Sequence, residues 1–270
     1  MPEFDSYKQY WLFSDFVMRK ARHILDIENQ RFLDAVIETG AKRRRTLRSG
    51  TGLWRAQLGH DWRTEVTLDE NKKEVDSFEV QGPFPAERMH PRPDRAYEGR
   101  VNPKGIPCLY LSNDRETAMT ETRPWIGSFV SVAQYVTVRD LTLVDCSAES
   151  GPAVNIWIGT GEPPPAQREG MIWRDLNRAF SLPVTRNDDI AEYAPTQVIA
   201  EAFRVAGYDG IVYGSKLGKG KSVAVFDLTA AELANCSLFR VEGVNLTFSE
   251  AANPYYVEKY CTAADQGPKT

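Results

Sequence analysis

Between residues 195 and 227 the chain passes from one helix into two successive strands, and this segment restricts the choice of fold more than any other. Pro195 stands at a helix start, Ile199, Ala202, Phe203 and Ala206 recur along one face, and Gly207 closes the pattern. Residues 210–213 and 222–227 then read as strands, joined by the glycine-rich turn 214–221. No helix separates them, so the regular strand–helix alternation of a doubly wound sheet is missing. The order points to an α+β fold with a mixed sheet.

The rest of the chain fits that class. Residues 6–47 read as helical, with Phe13, Phe16, Val17, Ala21, Ile24 and Leu25 at three- and four-residue steps. Phe32, Leu33, Val36 and Ile37 continue the face until Gly40. The run Lys42-Arg43-Arg44-Arg45 reads as a solvated helix end, where cations favour the dipole; a patch for an acidic partner or nucleic acid is the other reading. Residues 52–58 form a short strand. Residues 61–99, charged and rich in proline, read mostly as loop; that is long for a structureless connection, so part of it is expected to be functional or strand-like. Residues 106–112, 128–138 and 141–145 read as strands, and 167–180 as a helix after the loop 161–165. Asn113 with Glu116 suggests a capping box for a helix that Pro124 limits. Three parts follow: a helical extension over 1–50, a main domain over 51–235, and a C-terminal segment over 236–270.

Composition excludes several classes. The net charge is −4 and the isoelectric point about 5.6, which argues against general affinity for nucleic acid or anionic lipid. No apolar run approaches the roughly 20 residues that span a bilayer, and the N-terminus lacks the order of a secretory signal. Cys108, Cys146, Cys236 and Cys261 are scattered without a CxxC pair, and His23, His60 and His90 stand alone. The expectation is a cytoplasmic protein with reduced thiols and no metal. The stretch from Gly214 to Ser222 approaches a Walker A loop but has five residues, not four, before Gly-Lys-Ser, and a strand follows where a helix is needed. Ser215 also lacks the flanking pattern of a hydrolase nucleophile.

Three blocks resemble the RES-domain family: Leu53-Trp54-Arg55-Ala56, then GRVNPKGIPCLYLSNDRETAMTETRP over 99–124, then YAPTQVIAEAFRVAGYDGIVYGSKLGKGKSVAVF over 193–226. Together they cover about residues 52–228. The resemblance implies an ADP-ribosyltransferase-like α+β core and an NAD-degrading toxin of the toxin–antitoxin type. NAD is then a substrate, with no cofactor, and a small Xre-like antitoxin is the implied partner. The family's motif positions fall on Arg55, Arg100, Tyr110, Glu121 and Ser215. Many members have Tyr or Ala-Arg after the first Arg, whereas this chain has Ala56-Gln57, so a stacking role at 56 is not carried over.

The residue chemistry is consistent with that implication. Arg55 and Arg100 supply planar donors for a pyrophosphate. Cleaving the nicotinamide–ribose bond develops positive charge on the ribose, as in glycoside hydrolysis. Glu121 is the carboxylate placed to face it. Tyr110 offers a ring edge, Ser215 a hydroxyl in a turn with N–H groups open to anions, and Asn102 a substrate contact or a brace for the turn that carries Arg100. The acceptor stays open between water (glycohydrolase), phosphate (phosphorylase) and a protein or nucleic acid (ADP-ribosyltransferase). A non-catalytic partner-binding module and a homo-oligomer stay open too.

Overall fold

The computed structural model describes residues 3–92, 94, 96–147, 161–182 and 190–249. Eight of the strands among them join one mixed sheet. They are β1 (Arg44–Leu47), β2 (Gly52–Leu58), β5 (Leu109–Ser112), β6 (Phe129–Thr137), β7 (Leu141–Asp145), β8 (Gly210–Gly214), β9 (Lys221–Val225) and β10 (Ala231–Arg240). The order is β1-β7-β8-β9-β5-β2-β6-β10, and the β7–β8 pair is parallel while the others are antiparallel. The strands β3 (Asp61–Leu68) and β4 (Glu74–Gly82) form a separate hairpin. This is the mixed α+β architecture that the strand order implied.

The sheet is two wings held at one point. Strand β2 pairs with β6 along its whole length but meets β5 at the single pair Trp54↔Ser112. Beyond that pair β2 and β5 diverge, leaving a split between β1-β7-β8-β9-β5 and β2-β6-β10. The period-2 alternation of strands assigns side chains to two cores. Ile211, Tyr213 and Ala224 face one; Val212, Val223 and Val225 face the other.

The first core is helical. It gathers residues from α1 (Gln9–Arg19), α2 (Ile27–Gly40), α5 (Pro165–Ser181) and α6 (Ala194–Val205). Tyr10, Phe13, Ser14 and Val17 line α1 at helical spacing and are buried. Trp173 on α5 lies 6.3 Å from Phe203 on α6, nearly parallel to it, and donates to Thr39 Oγ1 on α2 at 3.1 Å. Gly207 closes α6 with a φ of +86°, which a side chain would strain. No helix among the described residues is long and apolar enough to cross a membrane.

Several sequence expectations need correction. The helical stretch 6–47 is two helices: α1 ends at Arg19, Asp26 caps α2 by accepting from Asn29 N, and Ile24 between them is exposed. Arg44–Leu47 is not a helix end but the edge strand β1, whose charges blunt an open sheet edge. Arg43 is buried, with its guanidinium 4.4 Å from the Trp173 ring centroid. The stretch 61–99 holds the β3–β4 hairpin and the short helix α3 (Ala86–Met89). Register shows why it read as loop: Trp62 pairs with Gln81 and Phe78 pairs with Glu65, so neither hairpin face is apolar. The helix α4 (Arg115–Glu121) is capped by Asp114, which accepts from Thr117 N, while Asn113 accepts from Lys221 N.

At the edge, Arg45 and Lys221 approach Asp145 at 2.9 and 3.3 Å. Burial alone would raise the Asp145 pKa, but the hydrogen bonds from Ser147 and Arg45 and the Lys221 charge outweigh it and hold it below the usual carboxylate value. The stabilisation is therefore present above the unfolded pKa and lost as pH falls through the folded one. Asp145→Asn is expected to cost about 1 kcal/mol at pH 7. In denaturant titrations at stepped pH, that difference should shrink toward zero below about pH 4; a pH-independent difference would contradict the assignment.

Candidate active site

The split between β2 and β5 is a cleft of about 920 Å³, within the range of roughly 300–1,000 Å³ common for small-molecule sites. Arg55 and Gln57 of β2 line one side, and Cys108 and Tyr110 line the other. A smaller cavity of about 160 Å³ shares Arg55 and Tyr110 and adds Trp54, Ser112, Glu121 of α4 and Tyr213 of β8. Arg55 and Tyr110 therefore stand at the junction of the two. The Arg55 Nη1 donates to the Tyr110 carbonyl at 3.2 Å, joining the strands where their ladder is missing. Its Nε is buried and has no partner. Burial depresses the Arg55 pKa, and nearby Tyr135, Cys108 and Tyr110 oppose that.

Glu121 is held from two sides. Ser215 Oγ donates to its Oε1 at 2.6 Å, and Arg100 Nη2 lies 3.9 Å from its Oε2. Arg100 is itself fixed by donating from Nη1 to the Phe180 carbonyl at the end of α5, at 2.9 Å. Both the Arg100 and Glu121 side chains are largely buried, so this pair operates with little solvent screening. The turn that carries Arg100 is built by polar groups. Asn102 Nδ2 donates to the carbonyls of Tyr97, Pro103 and Ile106, and its Oδ1 accepts from the Tyr110 hydroxyl at 2.7 Å. The Tyr110 oxygen also accepts from Val101 N at 3.0 Å. Burial raises the Tyr110 pKa well above its ordinary value, so it stays a neutral phenol. Its hydroxyl is engaged by the turn, and the ring faces the cavities.

The glycine-rich turn after β8 closes the site from above. Leu217 N and Gly218 N donate to Ser215 Oγ, Gly220 N donates to Thr117 Oγ1, and Lys221 N donates to Asn113 Oδ1. A Cβ on Gly220 would come within 2.7 Å of Asp114 and Thr117, which explains the glycine without any phosphate. These four N–H groups are occupied by the chain's own side chains. Strand β9 follows the turn directly, where a Walker A loop needs a helix.

The structure thus brings Glu121, Ser215 and Arg100 into one hydrogen-bonded cluster and joins Tyr110, Asn102 and Arg55 into its neighbour. Ser215 and Asn102 have their side chains engaged by protein groups, so they position Glu121, Arg100 and Tyr110. Sequence reading missed Gln197, which is buried on α6 and donates to the carbonyls of Gly99 and Asn102 at 2.9 and 3.1 Å. A glutamine beside the apolar positions of α6 was the available signal. It missed the Phe180 carbonyl too, for which a sequence carries no signal. His90 lines the larger cleft beside Tyr135, and burial, with Arg55 nearby, lowers its pKa. Among the described residues no three His, Cys, Asp or Glu side chains gather closely enough to hold a metal ion.

A family model described as "RES domain" matches residues 77–248. Arg100, Tyr110, Glu121 and Ser215 lie inside that span and Arg55 lies before it. A crystal structure of the M. tuberculosis MbcT–MbcA toxin–antitoxin complex is similar at 13% identity and a TM-score of 0.38, over 76% of this chain and 92% of that one. No curated protein matches the sequence.

Proposed function

The chain belongs to the RES-domain family, and from that premise we propose that it consumes NAD⁺ by breaking the nicotinamide–ribose bond at Glu121. The observation that carries this reading is the Glu121 carboxylate, fixed by Ser215 and flanked by Arg100 at the mouth of a cavity in the sheet split. In this reading the nicotinamide riboside enters the smaller cavity and the diphosphate passes Arg55 into the larger cleft. As the C–N bond breaks, its electron pair leaves on nicotinamide and positive charge grows on the ribose. Glu121 stabilises that charge, having been oriented before the reaction begins. A nucleophile then forms the new bond to the ribose carbon. Family membership also supports a small antitoxin partner that covers the cleft.

The test is direct. NAD⁺ is incubated with the purified protein, with and without inorganic phosphate, and products are resolved by mass. Nicotinamide with ADP-ribose identifies water as acceptor, the 1″-phosphate of ADP-ribose identifies phosphate, and a mass gain on protein or nucleic acid identifies transfer. Absence of nicotinamide together with no binding of NAD⁺ would overturn the proposal. Ser215→Ala is expected to lower kcat by about tenfold, since it removes one neutral hydrogen bond and loosens a carboxylate that stays in place. A loss as large as that of Glu121 itself would instead make Ser215 a participant in the chemistry.

A further inference from the structure

Arg88 closes the short helix α3, and its carbonyl accepts from Gln57 Nε2 at 2.9 Å. This pins Arg88 beside β2, two residues along the strand from Arg55 and on the same face. Its guanidinium carbon lies 3.5 Å from the ring centroid of the buried Phe84. Among the described residues that guanidinium makes no ion pair and donates no hydrogen bond. Arg92 nearby differs: Asp94 engages it at 3.0 and 3.2 Å. Arg88 and Arg55 both line the larger cleft, and the Arg55 Nε is buried without a partner. The cleft also contains Glu87 and Glu98, yet neither carboxylate pairs with these two arginines.

Two guanidinium groups with unused donors on one wall of an open cleft need an anion with several oxygens. The contact with Phe84 holds the Arg88 head in place while leaving its N–H edges available. We infer that Arg88 is a further substrate-binding residue, which with Arg55 holds the diphosphate of a dinucleotide in the larger cleft. This rests on the NAD⁺ reading, which puts the scissile bond at Glu121 and the other half of the molecule beyond Arg55. It adds a binding residue that none of the motif positions contains.

The experiment measures equilibrium binding of ADP-ribose, inorganic pyrophosphate and adenosine to the full chain and to Arg88→Ala and Arg88→Lys. The expected result is about tenfold weaker binding of ADP-ribose and pyrophosphate by Arg88→Ala. Arg88→Lys should lose less, because it keeps the charge but not the bidentate fork, and adenosine should bind all three alike. In turnover, the loss should fall on KM and not on kcat. Wild-type affinity of Arg88→Ala for both anions would overturn the inference and leave the NAD⁺ reading intact. Weaker adenosine binding with unchanged pyrophosphate binding would also overturn it, by making Arg88 a base-stacking residue. Failure of the wild-type chain to bind either ADP-ribose or pyrophosphate would also overturn the inference, while nicotinamide release from NAD⁺ decides the NAD⁺ reading separately.

Discussion

Glu121→Gln is expected to reduce nicotinamide release by about a thousandfold while the protein melts at its wild-type temperature. The substitution keeps shape and keeps an oxygen to accept from Ser215 Oγ. It removes only the negative charge, which stabilises the positive charge as that charge moves from the nicotinamide ring onto the ribose. Losing one preoriented electrostatic partner costs about a hundred- to a thousandfold in kcat, and the upper end applies because Glu121 is largely buried beside Arg100. Glu121→Asp should recover little, since a displacement of about 1 Å already costs about a hundredfold. KM for NAD⁺ should change little. Nicotinamide release by Glu121→Gln within tenfold of wild type would exclude Glu121 as the group that meets the charge.

The largest expected loss of stability is at Trp173. Trp173→Ala should cost about 3–5 kcal/mol, a large share of the roughly 5–15 kcal/mol that holds a typical domain together. Trp173 joins four elements. It packs on Phe203 of α6, donates to Thr39 of α2, lies beneath Arg43 and sits on α5. Truncation opens a cavity and leaves the Thr39 hydroxyl without one partner, although that hydroxyl still donates to the Ala35 carbonyl. The midpoint of thermal unfolding should fall by about 10 °C, and Trp173→Phe should restore part of it. A midpoint within about 2 °C of wild type would mean that the N-terminal helices are not part of the same cooperative core.

Legibility followed the physics of each segment. The buried strands were readable because stretches rich in β-branched residues such as Val130–Thr137 and Leu141–Val144 have few other uses. Helix α6 was readable from Pro195 and Gly207, its two punctuating residues. The β3–β4 hairpin was not, because Trp62, Val66 and Leu68 of β3 lie opposite Gln81, Ser77 and Glu74, while Phe78 and Val80 lie opposite Glu65 and Arg63, so no face is continuously apolar. Strand β1 was not, because its four residues Arg44–Leu47 offer a single apolar side chain and so no apolar period. At the site, Arg55, Arg100, Tyr110, Glu121 and Ser215 came from family resemblance, since each residue type alone fits an ordinary surface or core role. Their arrangement depends on the Phe180 carbonyl and on the split at Trp54–Ser112, which are properties of the folded backbone. Arg88 was hidden in a proline-rich charged stretch, where one more arginine is unremarked.

The helical core unites Phe13 near the start of the chain with Phe203 and Tyr208 more than 180 residues later. During synthesis α1 and α2 leave the ribosome well before α5 and α6, whose surfaces bury them. Domains generally fold as units once their partners have emerged, so the early helices wait, exposed and suited to capture by chaperones. Ser215 follows Tyr208 by only a few residues, so the clamp on Glu121 and the burial of the N-terminus are completed in the same short interval. A nascent chain halted before that point carries Arg55, Arg100 and Glu121 but no assembled site.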